Sequence, residues 1–347
     1  MDELLNVWII NREGNTVFST QATNYEINRD YLTSEKSSFV IPIDETSEIK
    51  GGFLLAKFQH GKGIAFFGVV DSFENSNVIC NDIFSLVNFE FPATRMSGNS
   101  FEQHAKNLIN RYLIQDVGKN IDILDINVLT NTPHIYQPSE PPTPTNLMKY
   151  LINGFKKYNV VWRFDGIVNG RIKTSFERIE TSLILKNNVY DFVNWDISST
   201  QVGKGVENHL MIVNKNTTNA EGPNILSEWW LTTENQVTQN QNDEKVVRPT
   251  KTKVWIYDTA EENKPTYQDL AKSELSGGYY SHEILFEMKK ENDLVHFDDL
   301  QIGLLSMIYY NNQVYQSVLT GYRLTNDSAF IELRFGHIRS RLSELLE

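Results

Sequence analysis

Three β-type runs follow one another near the end of the chain, and they constrain the fold more than any other stretch. The runs cover 305–310, 314–324 and 329–335, and only short polar breaks separate them. Those breaks, Asn311-Asn312 and Asn326-Asp327-Ser328, hold residues that tolerate positive φ and bond their own backbone. The pattern therefore predicts an antiparallel β-meander.

The third run indicates which of its faces is buried. Four apolar residues occupy every second position, and the residues between them include two charged ones. Ala329, Ile331, Leu333 and Phe335 alternate with Phe330, Glu332 and Arg334. A period of two predicts a strand with one face toward a core. Gly336 is expected to end this strand, and the pattern at 338–346 predicts a short terminal helix.

The first ninety residues predict β-structure almost throughout. Short apolar or alternating runs are separated by Gly- and Asn-containing breaks, without a helical period between them. The runs cover 5–10, 16–19, 25–27, 38–43, 53–58, 64–72 and 83–91. Closely spaced strands of this kind favour a small antiparallel barrel or sandwich, which we assign to residues 1–93.

A helical pattern follows this β region. Ser100 and Gln103 fit a capping box, and apolar residues then recur at i, i+3, i+4 and i+7, which predicts an amphipathic helix of about four turns. After a strand-like stretch at 121–129, the segment 133–144 holds five of the ten prolines and predicts an extended, polyproline-like crossing.

A second helix and a hairpin complete the middle of the chain. Residues 145–158 predict a helix that ends at Asn159, and Val168-Asn169-Gly170-Arg171 predicts the turn of a hairpin. These elements together favour an α+β domain over 94–200.

Residues 209–213 predict a strand that enters a second barrel. The following segment, 217–279, is polar and irregular, with a strand-like run at 254–257 and a helical pattern at 267–275, so we interpret it as an insertion. An isolated strand pair is marginal in water, and we therefore expect 209–213 to pair with the closing strands. The second barrel would comprise 201–216 and 280–347.

A weak internal echo is consistent with two related barrels. Residues 67–75 and 316–324 share a pair of aliphatic residues, a small or polar pair, an aromatic residue and a polar turn. A duplicated unit would produce this echo, and so would coincidence.

Composition narrows the class of protein. The single cysteine, Cys80, excludes an intramolecular disulfide, and the short run at 4–10 fits neither a signal peptide nor a membrane span. Forty-four acidic and thirty-two basic residues give a formal net charge of −12, which disfavours tight nucleic-acid binding. An acidic wall would still let nucleic acid pass without capture.

The sequence predicts no catalytic, cofactor-binding or metal-binding residue. The seven histidines form no pair with metal-ligand spacing, and His282-Glu283 lies in a strand pattern rather than a zinc-protease helix. Three aromatic pairs, Trp229-Trp230, Tyr279-Tyr280 and Tyr309-Tyr310, favour core and subunit contacts, with carbohydrate binding as the alternative.

The closing region carries a family resemblance. Asp299-Leu300-Gln301-Ile302-Gly303, then Val318-Leu319-Thr320-Gly321-Tyr322, then the nine residues from Arg334 to Leu342 resemble the close of the tail hub protein of siphovirus-like phages and prophages. This family is related to the baseplate hub of contractile tails. Leu304 departs from the pattern, because relatives often carry an acidic turn residue after the glycine.

The resemblance implies a mainly β fold with two small tube-like antiparallel barrels that flank an α+β domain. It implies a non-enzymatic virion protein that forms a homotrimeric ring, caps the tail tube and connects it to distal host-recognition proteins. Expected partners are the tail tube, the distal tail protein, the tape measure protein and receptor-binding proteins or fibres, with DNA passing through the ring. The expected location is the virion tail, assembled in the bacterial cytoplasm.

The sequence also allows two alternative functions. Relatives are often labelled as tail endopeptidases, so a tail-associated endopeptidase or cell-wall hydrolase is one. A glycan- or receptor-binding module that uses Trp229 and Trp230 is the other.

Overall fold

The computed structural model describes most of the chain. The described residues are 4–30, 35–42, 51–58, 63–93, 100–119, 121–132, 143–178, 181–187, 191–199, 207–216, 222–233, 236–260, 266–275, 282–292, 294–311 and 313–336. Three expectations fall wholly or mainly outside them: the terminal helix at 338–346, the proline-rich crossing at 133–144 and the pair Tyr279-Tyr280. Within the described part, every helix is too short or too polar to cross a membrane.

Strands dominate the structure. The first ten are β1 (Leu5–Ile10), β2 (Thr16–Ala22), β3 (Asn24–Asp30), β4 (Lys36–Val40), β5 (Phe53–Phe58), β6 (Ile64–Glu74), β7 (Asn77–Asp82), β8 (Glu90–Ala93), β9 (Leu124–Val128) and β10 (Thr143–Asn146). The next six are β11 (Val160–Val168), β12 (Arg171–Arg178), β13 (Thr181–Lys186), β14 (Phe192–Ser199), β15 (His209–Asn214) and β16 (Ile225–Leu231). The last are β17 (Val237–Thr238), β18 (Thr252–Tyr257), β19 (His282–Lys289), β20 (Leu305–Tyr310), β21 (Gln313–Thr325) and β22 (Phe330–Gly336). The α-helices are α1 (Phe101–Ile109), α2 (Leu147–Tyr158) and α3 (Tyr267–Glu274).

One thirteen-stranded sheet joins the two ends of the chain. Its order is β14-β19-β22-β21-β3-β4-β7-β6-β5-β1-β2, and β20 and β13 continue from β21. The prediction of a mainly β chain with an α+β middle is therefore confirmed. Two separately closed barrels are not seen among the described strands, because β21 and β3 pair directly and make the two ends one sheet.

The strands of the N-terminal region lie close to their predicted positions, with one exception. Residues 83–91 were expected to form one strand, and this prediction was wrong except at its end, where β8 begins at Glu90. Residues Ile83–Val87 form a short 3₁₀-helix, and the strand preceding it is β7. The Asp82 side chain accepts a hydrogen bond from the Phe84 amide at 3.2 Å, so it caps the helix and turns the chain inward.

Both predicted helices of the middle region form. Ser100 caps α1 by accepting a hydrogen bond from the Gln103 amide, and Asn159 ends α2 in the left-handed region at φ 53°. The helices pack against the three-stranded sheet β11-β12-β9, where the predicted Asn169-Gly170 turn joins β11 to β12. Their apolar faces belong to the same core as the large sheet.

The closing meander is confirmed. β20 pairs with β21, and β21 with β22, both antiparallel. Along β22 the side chains of Ile331, Leu333 and Phe335 are buried, while Phe330, Glu332 and Arg334 are only partly so. This is the alternation that the sequence predicts.

The pairing expected for residues 209–213 was wrong. β15 pairs with β16 and β18 in a separate four-stranded sheet, not with the closing strands. The physical reason is a second core: Leu210, Ile212, Trp229 and Tyr257 pack with Leu270 of α3, and none of them belongs to the main core. The segment interpreted as an irregular insertion thus has its own hydrophobic interior.

The two ends of the large sheet share one topology. Five neighbouring strands at the N-terminal end, β3-β4-β7-β6-β5, follow the same order as β14-β19-β22-β21-β20 at the other end, and all neighbours are antiparallel. We call these sets the first and second β units. They differ at the next strand, because β1 is antiparallel to β5 whereas β13 is parallel to β20.

Irregularities also recur at equivalent positions. β6 has a bulge between Val70 and Ser72, and β21 has one between Leu319 and Gly321. These positions coincide in the sequence echo of 67–75 and 316–324. A shared bulge at matching positions favours duplication over coincidence.

A glycine with positive φ precedes each meander and makes the same contact. The Gly51 amide donates to the Val70 carbonyl at 3.2 Å, and the Gly303 amide donates to the Leu319 carbonyl at 2.8 Å. Gly51 has a φ of 77° and Gly303 a φ of 86°. The surroundings differ, since a Cβ on Gly303 would come within 2.8 Å of Val161, whereas one on Gly51 would meet only the tip of Arg12 at 3.3 Å.

This difference makes the two glycines a matched pair for a stability test. Gly51→Ala is expected to lower the free energy of unfolding by ~1–2 kcal/mol, the cost of a left-handed alanine. Gly303→Ala should lose a further ~1–3 kcal/mol because it also overpacks against Val161. Urea unfolding of the two variants checks this, and equal losses would contradict the close packing of Gly303.

Candidate functional site

The two β units meet at one strand pair, β21 with β3, which we call the joint. The pairing is antiparallel and runs from Gly321 opposite Asp30 to Thr325 opposite Glu26. A Cβ on Gly321 would lie 2.4 Å from the Arg29 carbonyl oxygen, so only glycine lets β3 approach at this point. The joint is therefore a close backbone contact between residues almost 300 positions apart in the sequence.

Buried charge holds one end of the joint. Asp30 is 2% exposed, and its carboxylate accepts a hydrogen bond from Arg334 Nη1 at 2.7 Å. Glu35 and Glu332 lie 3.4 and 3.7 Å from the same guanidinium. Burial alone would lower the pKa of Arg334, but Asp30 and the two glutamates raise it above its ordinary value. Arg334 therefore keeps its charge in this partly buried position, and it links β22 to β3.

A second buried pair lies on the opposite face of β3. Arg29 Nε donates to Asp82 Oδ2 at 3.0 Å, and Asp82 is 2% exposed. The neighbouring Tyr322 hydroxyl donates to the Ala65 carbonyl at 2.7 Å, and burial raises the pKa of this phenol. The contacts tie β21 and β3 to β6 and β7, so the joint is fixed from both faces of the sheet.

The solvent side of the joint is polar and mostly anionic. Arg323 Nη2 lies 2.9 Å from Glu26 in a partly exposed ion pair. A cleft of about 470 Å³ opens beside it, and its charged lining residues are Glu26, Glu287, Asp327, Glu332 and Arg323. Glu287 and Glu332 stand directly opposite each other in the β19·β22 pair. Four carboxylates against one guanidinium make this face acidic.

Among the described residues, the side chains that the sequence analysis considered for chemistry do not come together. The described residues contain no group of three or more His, Cys, Asp or Glu side chains that could hold a metal ion. His282 is buried in β19 beside the Tyr315 ring. Cys80 is buried in β7, and burial raises the pKa of its thiol.

Adjacent residues in a strand point to opposite faces, so one ring of each aromatic pair should be buried and the other more exposed. The tryptophan pair follows this rule and the pair Tyr309-Tyr310 does so only in part. Trp229 is buried in the core of the small sheet, whereas Trp230 is only partly buried and stacks on the His209 ring with centroids 4.7 Å apart. Tyr309 and Tyr310 are both partly buried. A glycan site that relies on the face of Trp229 is therefore not formed in this structure.

A second cleft of about 470 Å³ lies where β11 and β12 face the two β units. Asp165 lies in it, accepts a hydrogen bond from Ser175 Oγ at 2.9 Å, and has a pKa raised by burial. Arg163 pairs with Glu177 and donates to Gln301. These contacts connect β11 and β12 to the segment before β20, and they assemble no nucleophile with a base.

The buried pair at the joint supports a stability prediction. Asp30→Asn should lower the free energy of unfolding by ~1.5–3 kcal/mol, because the partly buried Arg334 guanidinium would lose its nearest counter-charge and a charged hydrogen bond. Glu26→Gln is the matched control, and removal of this exposed pairing should cost ~1 kcal/mol or less. Chemical denaturation of both variants measures the difference. Similar losses would mean that the joint does not depend on its buried charge.

His282 supports a pH prediction. Burial lowers the pKa of His282 to about 4 from its usual 6.5. Between these two pH values the imidazole is protonated in the unfolded chain and neutral in the folded chain. Stability should therefore fall as the pH drops from about 6.5 to about 4, by up to ~3 kcal/mol from this residue. His282→Gln should flatten that part of the profile, whereas the same change at the exposed His296 should not. An unchanged slope in the His282 variant would contradict the assignment.

The sequence matches no protein-family model and no curated protein. Solved structures do match over nearly the whole chain. A tail protein from Neisseria meningitidis MC58 aligns with a TM-score of 0.53 at 13% identity, covering 96% of each chain. The 43 kDa tail protein of prophage MuSo2 from Shewanella oneidensis aligns with a TM-score of 0.53 at 11% identity, covering 96% of this chain and 98% of that one.

A third match comes from a different host. A prophage tail protein from Listeria monocytogenes EGD-e aligns with a TM-score of 0.51 at 10% identity, covering 99% of this chain and 97% of that one. At such identities the comparison shows a shared fold. The chain therefore has the fold of phage and prophage tail proteins, and the resemblance seen in its closing region is confirmed at that level.

Proposed function

We propose that this chain is a non-enzymatic structural subunit at the tip of a phage or prophage tail. The observation that carries the proposal is the fold shared with three tail proteins along almost the full length of each chain. In the part of the chain that the structure describes, no three His, Cys, Asp or Glu side chains are grouped as metal ligands would be, which agrees with a structural role.

In this proposal three copies form a ring that caps the tail tube. The support is the repeated topology within one chain, because two equivalent β units per subunit give six units in a trimer. Six units match the six-fold symmetry expected of a tail tube. A closed ring of identical chains also gives the backbone groups at sheet edges a partner strand. The ring would connect the tube to distal host-recognition proteins.

The proposed domain division keeps the ranges expected from the sequence, except for three strands. Residues 1–93 form the first tube-like barrel, 94–200 the α+β domain, and 201–216 with 280–347 the second barrel around the insertion 217–279. Because β15 pairs with β16, we propose to count it with the insertion. Because β14 pairs with β19 and β13 with β20, we propose to count both with the second barrel. Each barrel would be completed only in the assembled ring.

The proposed lumen is lined by the polar face of the large sheet. Its support is the acidic cleft beside the joint, where carboxylates outnumber the guanidinium of Arg323. An anionic wall repels phosphates and lets DNA pass without capture. The proposed partners are the tail tube, the distal tail protein, the tape measure protein and receptor-binding proteins or fibres. The proposed location is the virion tail, after assembly in the host cytoplasm.

Mass measurement and imaging test the proposal. The purified chain, or the chain mixed with its tail tube protein, is expected to give particles of three times 40.0 kDa that appear as hollow rings by negative stain. Compact monomers under both conditions would contradict the ring. Incubation with peptidoglycan and peptide substrates is expected to give no turnover, and turnover abolished by one point mutation would overturn the non-enzymatic role.

A further inference from the structure

In the part of the chain that the structure describes, two further strand edges, equivalent to those of the joint, have no partner strand. In the repeated topology β14 corresponds to β3, and β6 corresponds to β21. β3 and β21 pair with each other, but among the described residues β14 pairs only with β19, and residues 72–74 of β6 pair only with β7. Each copy thus presents one unpaired edge of each kind.

We propose that the end of β6 pairs with β14 of a neighbouring copy and repeats the joint between chains. This inference rests on the proposed ring and names the surfaces that close it. Alternating joints within and between chains would make one continuous sheet around the ring. Unpaired strand edges are surfaces on which a further strand adds readily by backbone hydrogen bonds.

The register follows from the equivalence of the two units. Arg323 stands opposite Asn28 in the joint within the chain. The matching bulges place Glu74 of β6 at the position that Arg323 has in β21. On the other edge, Asp196 pairs with Leu285 of β19 as Glu26 pairs with Ser38 of β4, so Asp196 is equivalent to Glu26. Two residues further along, Ser198 is then equivalent to Asn28. Glu74 of one copy should therefore stand opposite Ser198 of the next.

The side chains on both edges suit a contact with another chain. Glu74 and Ser198 are exposed, and Phe73 is partly exposed at the position that the buried Tyr322 occupies in the second unit. Covering Phe73 would bury an aromatic ring that the isolated chain leaves partly in water. The two edges therefore have backbone groups to pair and apolar area to bury.

The joint between chains would be weaker than the joint within the chain. Ser72 is the equivalent in the first unit of Gly321, which lets β3 approach closely because it has no Cβ. The Cβ of Ser72 prevents the same approach, so the hydrogen-bonded ladder between chains should begin at Phe73. Ile79 occupies the position of Arg334 and cannot form the buried ion pair. Weak closure would let subunits remain separate until a template gathers them.

Charge is the sharpest difference between the two joints. Within the chain Arg323 and Glu26 form an ion pair at 2.9 Å. Their counterparts between chains are Glu74 and Asp196, both acidic and both exposed. Like charges across a strand pair are unfavourable, and dissolved salt screens them. Closure of the ring should therefore improve as the salt concentration rises.

Disulfide trapping tests the register. The single native cysteine is buried, and residues directly opposite each other in antiparallel strands are close enough for a disulfide. Glu74→Cys with Ser198→Cys should give covalent trimers on non-reducing gels under mild oxidation. Asn28→Cys with Arg323→Cys is the control for the geometry, and it should form a disulfide within one chain without covalent oligomers.

The outcomes separate this inference from the proposed ring. If the protein is a trimer by mass but the variant with Glu74→Cys and Ser198→Cys is not trapped, the edge pairing is overturned and the ring remains. Efficient trapping into species other than trimers would support the edge pairing and contradict the threefold ring. Absence of both association and trapping, even at high protein concentration, would overturn the pairing.

A charge-reversal series gives a second, independent readout. Glu74→Arg should pair with Asp196 of the next copy and tighten association about fivefold per joint, the effect of an exposed ion pair. Adding Asp196→Arg should remove that gain. Raising sodium chloride from about 0.05 to about 0.5 M should tighten the native protein and loosen Glu74→Arg, because screening acts oppositely on repulsion and attraction. The same salt response in both proteins would overturn the proposed contact.

Discussion

The pairing of β21 with β3 is the contact on which the rest of the architecture depends. It joins residues from opposite ends of the chain, and the buried pairs of Asp30 with Arg334 and of Arg29 with Asp82 fix it from both faces. A buried charge left unpaired is costly, so these residues allow few alternative registers. The two β units consequently form one sheet, and the middle domain packs on a surface to which both contribute.

Duplication of one unit would explain why this sheet is built from two similar halves. Matching strand order, a shared bulge and the same glycine contact before each meander are difficult to obtain independently. The two halves differ in sequence contacts where their surroundings differ. Gly303 lies against Val161 of the middle domain, whereas its counterpart Gly51 meets only the side chain of Arg12.

Local signals in the sequence predicted most strands, both helices of the middle domain and the closing meander, because alternation, caps and turn residues act over short distances. The pairing of β15 was mispredicted, since whether a strand joins one core or another depends on side chains such as Trp229 and Leu270 that are far along the chain. The charged residues of the joint were missed for the same reason. Arg334 occupies an outward position in β22, and only the pairing with β3 buries it beside Asp30.

The small sheet of β15 to β18 has a hydrophobic interior separate from that of the large sheet. Sequence changes within it are consequently decoupled from the strands that carry the joint. Such a module can be lengthened, replaced or lost over evolution while the remainder keeps its shape. Among chains that share this fold, differences in sequence and length are expected to accumulate there first.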